Sequence, residues 1–270
     1  MMTIYKQQVL IKKAYDILLM ANIDSFPIKV SKIMHYFKDT FNISFIKYST
    51  LAKASGYSIT GVAIQYGSND AVLRYNPNNE VVSVIYNDKQ PKERQRWNIL
   101  HELSRFICDH HIIRYKVESQ NLSLSKYQIE NMEAEANFLT KVILAPIDFV
   151  LYCAGNYHCY DAQRIFVILK AIFRLSTEAS FYYSNSLLSP NVRNLLYSPI
   201  SKPLQHSCDT FFKNYDANVF SIIEKRYEKD YEYFKNFKTY KSLGIEQKHY
   251  PEQVYSILER VLYGEGNNLS

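Results

Sequence analysis

Between Pro91 and His110, apolar residues recur as Trp97, Leu100, Leu103, Phe106 and Ile107, a spacing that winds one stripe around a helix and buries that side. Proline suits a first helical turn, so Pro91 marks the start. Beside the stripe, on one face, stand His101, Arg105 and Cys108, and His101-Glu102-Leu103-Ser104-Arg105 differs at its last residue from HExxH. In HExxH the two histidines, one helical turn apart, hold Zn²⁺ and the glutamate takes a proton from the metal-bound water. A guanidinium stays protonated and has no lone pair to give a metal, so Arg105 breaks the pattern at the second ligand.

The rest of the chain frames this helix. Apolar periodicity predicts a helix from Tyr5 to about Ala21 and a second from near Pro27 carrying Ile28, Val30, Ile33, Met34 and Phe37. Four runs rich in β-branched and aromatic residues read as strands: Ile43 to Tyr48, Gly61 to Tyr66, Val72 to Tyr75 and Val81 to Tyr86. The last two flank the turn-forming Asn76-Pro77-Asn78-Asn79. Helical pattern resumes at roughly 125 to 144, 160 to 174, 177 to 185, 215 to 238 and 251 to 263. Helices, then strands, then helices make an α+β protein with a small, mostly antiparallel sheet packed on helices. The Pro- and Ser-rich stretch Ser186 to Ser207 is the least structured joint, so the expected division is a domain over 1–187 and an all-α extension over 205–270.

Several function classes fall away. The net charge of +6 is scattered among acids, as in Glu224-Lys225-Arg226 and Glu228-Lys229-Asp230, and not clustered into a basic groove, so direct nucleic-acid binding is not expected. The run after 160 could form two helices with a short break, but its second helix offers Phe181, Tyr182 and Tyr183 where a groove reader needs polar side chains. The longest apolar stretch, Val142 to Ala154, is interrupted by Pro146 and Asp148 and falls short of the about 20 residues that span a bilayer. Lys12, Lys13 and Asp16 inside the first apolar run argue against a secretory signal, and cytoplasmic residence is the default expectation. The four cysteines form no CxxC pair, and Cys153, His158 and Cys159 have no further ligands or base at sequence level, so buried thiols are expected.

Arg94 to His110 and Glu133 to Pro146 (EAEANFLTKVILAP) together resemble the two signature segments of the ImmA/IrrE family of metallopeptidases, R-x-x-x-x-HExxH followed by E-x-x-A-N-x-F/L and a closing L-x-P. Weaker likeness runs from about 5 to 185, with a small helical element at about 160–187; residues 205–270 match nothing in the pattern. The resemblance implies a zincin-like fold and a zinc cofactor, with His101 as first ligand, Glu133 as third and Glu102 as general base. It implies cleavage of helix-turn-helix repressors in mobile-element or stress regulation. Two positions depart from it: Arg105 at the second ligand, so that catalysis is expected to be impaired or lost, and Ser104, where the family usually has glycine. The rival reading is a non-catalytic protein that binds or sequesters a repressor-like partner.

On a continuous helix, Asp109, His110 and His111 would lie roughly 12–15 Å beyond His101, and Cys108 about 10 Å, too far to replace the lost ligand. A remote histidine, His35, His158 or His206, could do so only by folding in. The expected replacement for the ion is Arg105 itself, forked onto Glu133. Glu135 is expected to be a surface acid and Asn137 a hydrogen-bonding group near the site.

Overall fold

The structure is a computed structural model that describes residues 2–120, 122–156, 161–187 and 234–242. Thr3 caps the first helix, accepting from the Lys6 amide, and α1 (Ile4–Met20) buries Leu10, Ile11, Ala14, Ile17 and Leu18. Then α2 (Val30–Phe41) buries Ile33 and Phe37 and ends on Asn42 in the left-handed region. The first stands where the periodicity predicts it, whereas the second begins at Val30, three residues after Pro27, and leaves Ile28 outside the helix.

The sheet has three strands in the order β1-β3-β2: β1 (Ser44–Lys47), β2 (Ala71–Asn76) and β3 (Val81–Tyr86). It is mixed and not mostly antiparallel, because β1 runs parallel to β3 while β2 and β3 form the antiparallel hairpin over the Asn-Pro-Asn-Asn turn. The parallel pair requires a crossover, and the chain makes it with two short helices, α3 (Tyr48–Ser55) and α4 (Ile59–Tyr66). The expected strand from Gly61 to Tyr66 is therefore wrong. Its branched and aromatic composition suits a strand, but Ser58 accepts from the Gly61 amide and Gly67, at φ 69°, closes the far end, so both helix termini are capped. Only Val62 and Ala63 need burial, against Tyr48 and Ile85.

Across one face of the sheet lies α5 (Lys92–Ile107), with Pro91 at its N-cap and Ile99, Leu100 and Leu103 buried. The helix stops at Ile107, short of the expected His110. Asp109 adopts φ 60°, and a new helix, α6 (His110–Ser119), leaves in another direction. Ser125 and Gln128 form a reciprocal capping box for α7 (Lys126–Leu144), which packs on α5 and α1. Pro146 prevents its continuation, and α8 (Ile147–Asn156) departs at 46°. The small helical element is α9 (Ala162–Ala171) and α10 (Thr177–Leu187). A last short helix, α11 (Phe237–Ser242), follows Phe234; Phe234 meets Phe166 at 5.4 Å and Phe237 stacks on Phe181 at 4.2 Å. Most of the expected helices at 215–238 and 251–263 lie outside the described residues.

One core joins these parts. It takes residues from α1, α2, β2, β3, α5 and α7 through α10, with Phe26 between Phe149 and Phe173 at 5.2 and 5.0 Å. Arg96, the arginine five residues before His101, is part of this frame: its guanidinium donates to the carbonyls of Ile28, Phe173 and Arg174 and ties α5 to the N-terminal and α9 segments. Among the described residues no single helix is long and apolar enough to cross a membrane.

Candidate functional site

The site lies where α5 crosses α7 beside β2, the edge strand. The close approach of the two helices is filled at Ser104, which is fully buried. Its Oγ lies 3.0 Å from Thr140 Oγ1, and Thr140 spends its own proton on the Ala136 carbonyl 2.7 Å away. Ser104 is thus the donor between them, and a side chain larger than glycine is accommodated by a hydrogen bond across the helix pair.

This packing brings His101, Glu102, Arg105 and Glu133 into one cluster. The His101 Nε2 stands 3.2 Å from Glu133 Oε2. One Arg105 Nη donates to both oxygens of Glu102 at 3.0 and 3.1 Å, and the other Nη donates to Glu133 Oε1 at 2.5 Å. Arg114, from α6, adds a more distant contact to Glu133 at 3.6 Å. The expected pairing of Arg105 with Glu133 is present, and the pairing with Glu102 extends it. The hydrogen bond from His101 and the adjacent guanidinium hold the Glu133 carboxyl far below its usual range, near pH 2. Burial dominates at Glu102 and raises its carboxyl, against the pull of Arg105, His101 and the Leu73 amide.

Glu102 is also tied to the sheet. The backbone N–H of Leu73, in β2, donates to Glu102 Oε2 at 2.9 Å. Asp70 is bonded to Asn87 across the hairpin, and bonding alternates along an antiparallel pair, so the odd positions of β2 direct their backbone groups to the open edge. The Glu102 side chain, 5 % exposed, thus accepts from the edge strand on one side and from Arg105 on the other.

In front of the cluster is an open cavity of about 650 Å³. Its walls are β2 from Ala71 to Tyr75, the α5 residues Trp97, His101, Glu102 and Arg105, and the α6 residues His111, Arg114 and Tyr115. An unbroken helix would carry His111 away from His101. The turn at Asp109 instead brings it to the same cavity, stacked on Phe106 at 4.9 Å and edge-on to Tyr75 at 5.2 Å. The available signal was Asp109 itself, a residue type that favours helix starts and tolerates positive φ.

The same turn gathers a second group. Glu135 is not the expected surface acid: it meets His110 Nε2 at 3.3 Å and Lys6 at 3.1 Å. One of its carboxylate oxygens, one His110 ring nitrogen and the Cys108 sulfur lie within 4.8 Å of one another. Asn137 is exposed and outside the cavity lining. His35 is exposed and bonded to the Ser31 carbonyl, while His158 and His206 fall outside the described residues.

Zinc at the HELSR position would need two imidazoles and a carboxylate with their lone pairs free. The residues present do not fit it. Both carboxylates already face a permanent cation, and that cation stands where the second imidazole would be.

Comparison with protein families gives a match to the model described as IrrE N-terminal-like domain, Peptidase_M78, over residues 58–182. Comparisons with curated proteins and with solved structures give no match. The matched span begins at α4 and ends in α10. It holds the β2–β3 hairpin, the HELSR helix and the EAEANFLTKVILAP helix, while α1, α2 and β1 lie before it. The α+β, zincin-like fold and both signature segments agree with that match, and over this span the chain is similar to the ImmA/IrrE family of metallopeptidases, a zinc-dependent family.

Proposed function

We propose that this chain is a non-catalytic member of its family, which keeps the peptidase groove and uses it to hold an extended segment of a protein partner. The observation that carries this reading is the Arg105 guanidinium, bonded to Glu102 and Glu133 at once. A positive charge there repels a divalent cation, and without a metal-polarised water Glu102 has no nucleophile to activate. The groove does not depend on the metal. An extended segment docks on a sheet edge through main-chain hydrogen bonds, and β2 with its adjoining cavity supplies such an edge. The class of partner follows from the family resemblance: a helix-turn-helix repressor, sequestered or shielded in place of being cut.

The competing reading, a zinc endopeptidase acting on the same repressors, draws on one observation: His101 and Glu133 are 3.2 Å apart, close enough to share an ion. Arg105→His separates the two. The parent chain is expected to show no chelator-sensitive cleavage of a repressor substrate, whereas the variant binds one more zinc than the parent, and a second change, His101→Ala, removes that added ion. Cleavage by the parent that a chelator abolishes would defeat the non-catalytic reading.

A further inference from the structure

We infer that Cys108, His110 and Glu135 form a separate site for a divalent transition metal of the zinc class, displaced from the HELSR position to the corner between α5 and α6. Three elements make it. Cys108 is the last residue of the α5 cap, the positive-φ Asp109 reverses the chain, and His110 opens α6 so that both side chains meet Glu135 on α7. A sulfur, an imidazole nitrogen and a carboxylate oxygen all fall within 4.8 Å of one another, and the imidazole and carboxylate are already 3.3 Å apart. Ligands of a tetrahedral zinc stand roughly 3.3–3.7 Å apart, given bonds of about 2.0–2.3 Å, so a side-chain closure of about 1 Å completes the set.

The state of the imidazole is compatible with ligation. His110 is 2 % exposed, and its Nδ1 is buried with no protein partner among the described residues, so the ring retains an uncommitted donor or acceptor. Thiolate with imidazole favours zinc, cobalt or copper over calcium or magnesium, which prefer oxygen alone. On binding, the thiol proton leaves to solvent, and thiolate plus carboxylate balance the two positive charges of the ion. The Lys6 ammonium that now pairs with Glu135 is on a half-exposed side chain and can swing into water. Glu133 and Glu135, two residues apart on α7, point about 200° from each other around the helix, so this site and the Arg105 cluster share no ligand.

The test is a cobalt titration of the full chain, stripped with chelator and kept reduced with a non-thiol reductant. The expected result is about one equivalent of Co²⁺ bound with a near-ultraviolet thiolate-to-metal band. That band disappears in Cys108→Ser, affinity falls at least about tenfold in His110→Ala and Glu135→Gln, and binding is unchanged in His101→Ala. Circular dichroism of each variant establishes that the fold is kept. No binding, or a band that survives Cys108→Ser, overturns this inference and leaves the non-catalytic reading untouched. Binding that is lost in His101→Ala but kept in Cys108→Ser overturns both, because the ion then sits at the HELSR position.

Discussion

At the scale of single residues, Arg105 carries the largest consequence. Glu102 is almost completely buried, and the guanidinium is its principal counter-charge. Removing one partner of such a pair leaves an uncompensated charge, so Arg105→Ala is expected to destabilise the fold by about 3 kcal/mol in chemical denaturation, with Glu102→Gln in the same chain restoring part of it. The pH dependence follows from Glu133. Its carboxyl drops from an ordinary value of 4.5 to about 2 on folding, so its contribution is complete above pH 4.5 and lost as pH falls from there towards 2. Glu133→Gln should therefore flatten the acid limb of the stability curve within that window. Glu102, raised by burial, acts with the opposite sign, which is why the comparison is made between parent and this one variant. The chemistry of these residues was legible in the chain: Arg105 could be read as a non-ligand and as a partner for Glu133 from its type and place. The bond to Glu102, and the Leu73 amide that completes it, could not, because no local pattern says which strand will lie beside the helix.

At the scale of elements, the turn between α5 and α6 decides what the site contains. Asp109 holds φ 60°, a conformation that strains a residue with a Cβ, and Asp109 offers no side-chain cap in return. Asp109→Gly is expected to be neutral or stabilising by up to about 1 kcal/mol, while Asp109→Val, which must stay near negative φ, should destabilise the turn and reduce stacking of His111 on Phe106. Thermal melts and the His111 ring shifts in proton spectra give the readout. Helices with several turns of apolar periodicity, such as α1 and α7, could be placed to within a residue or two from that periodicity. The eight-residue α4 could not: too short to show its period, it carries the branched residues of a strand, and only its flanking Ser58 and Gly67 mark it as a helix.

At the scale of the molecule, the family-matched span is smaller than the folding unit. Residues before 58 supply Leu10, Ile11, Leu18, Phe26, Ile33 and Phe37 to the same core as α7 through α10, and β1 completes the sheet on the far side of β3. A fragment of 58–182 would expose those facing surfaces and lose the Ile28 carbonyl that accepts from Arg96. It is expected to lack cooperative unfolding and near-ultraviolet circular dichroism, whereas a chain of 1–187 retains more of both; a cooperative 58–182 fragment would contradict this view.

What the sequence by itself determined is whatever depends on residue type and near spacing. That includes the amphipathic helices, the hairpin over Asn76 to Asn79, and a metal motif with a permanent cation at one ligand. Only the tertiary structure decided the parallel pairing of β1 with β3, the anchoring of Glu102 on the β2 edge, and the meeting of Cys108 and His110 with Glu135. These contacts join side chains far apart along the chain or across a break in a helix. Their geometry is set by packing of whole elements, which no short stretch of sequence encodes.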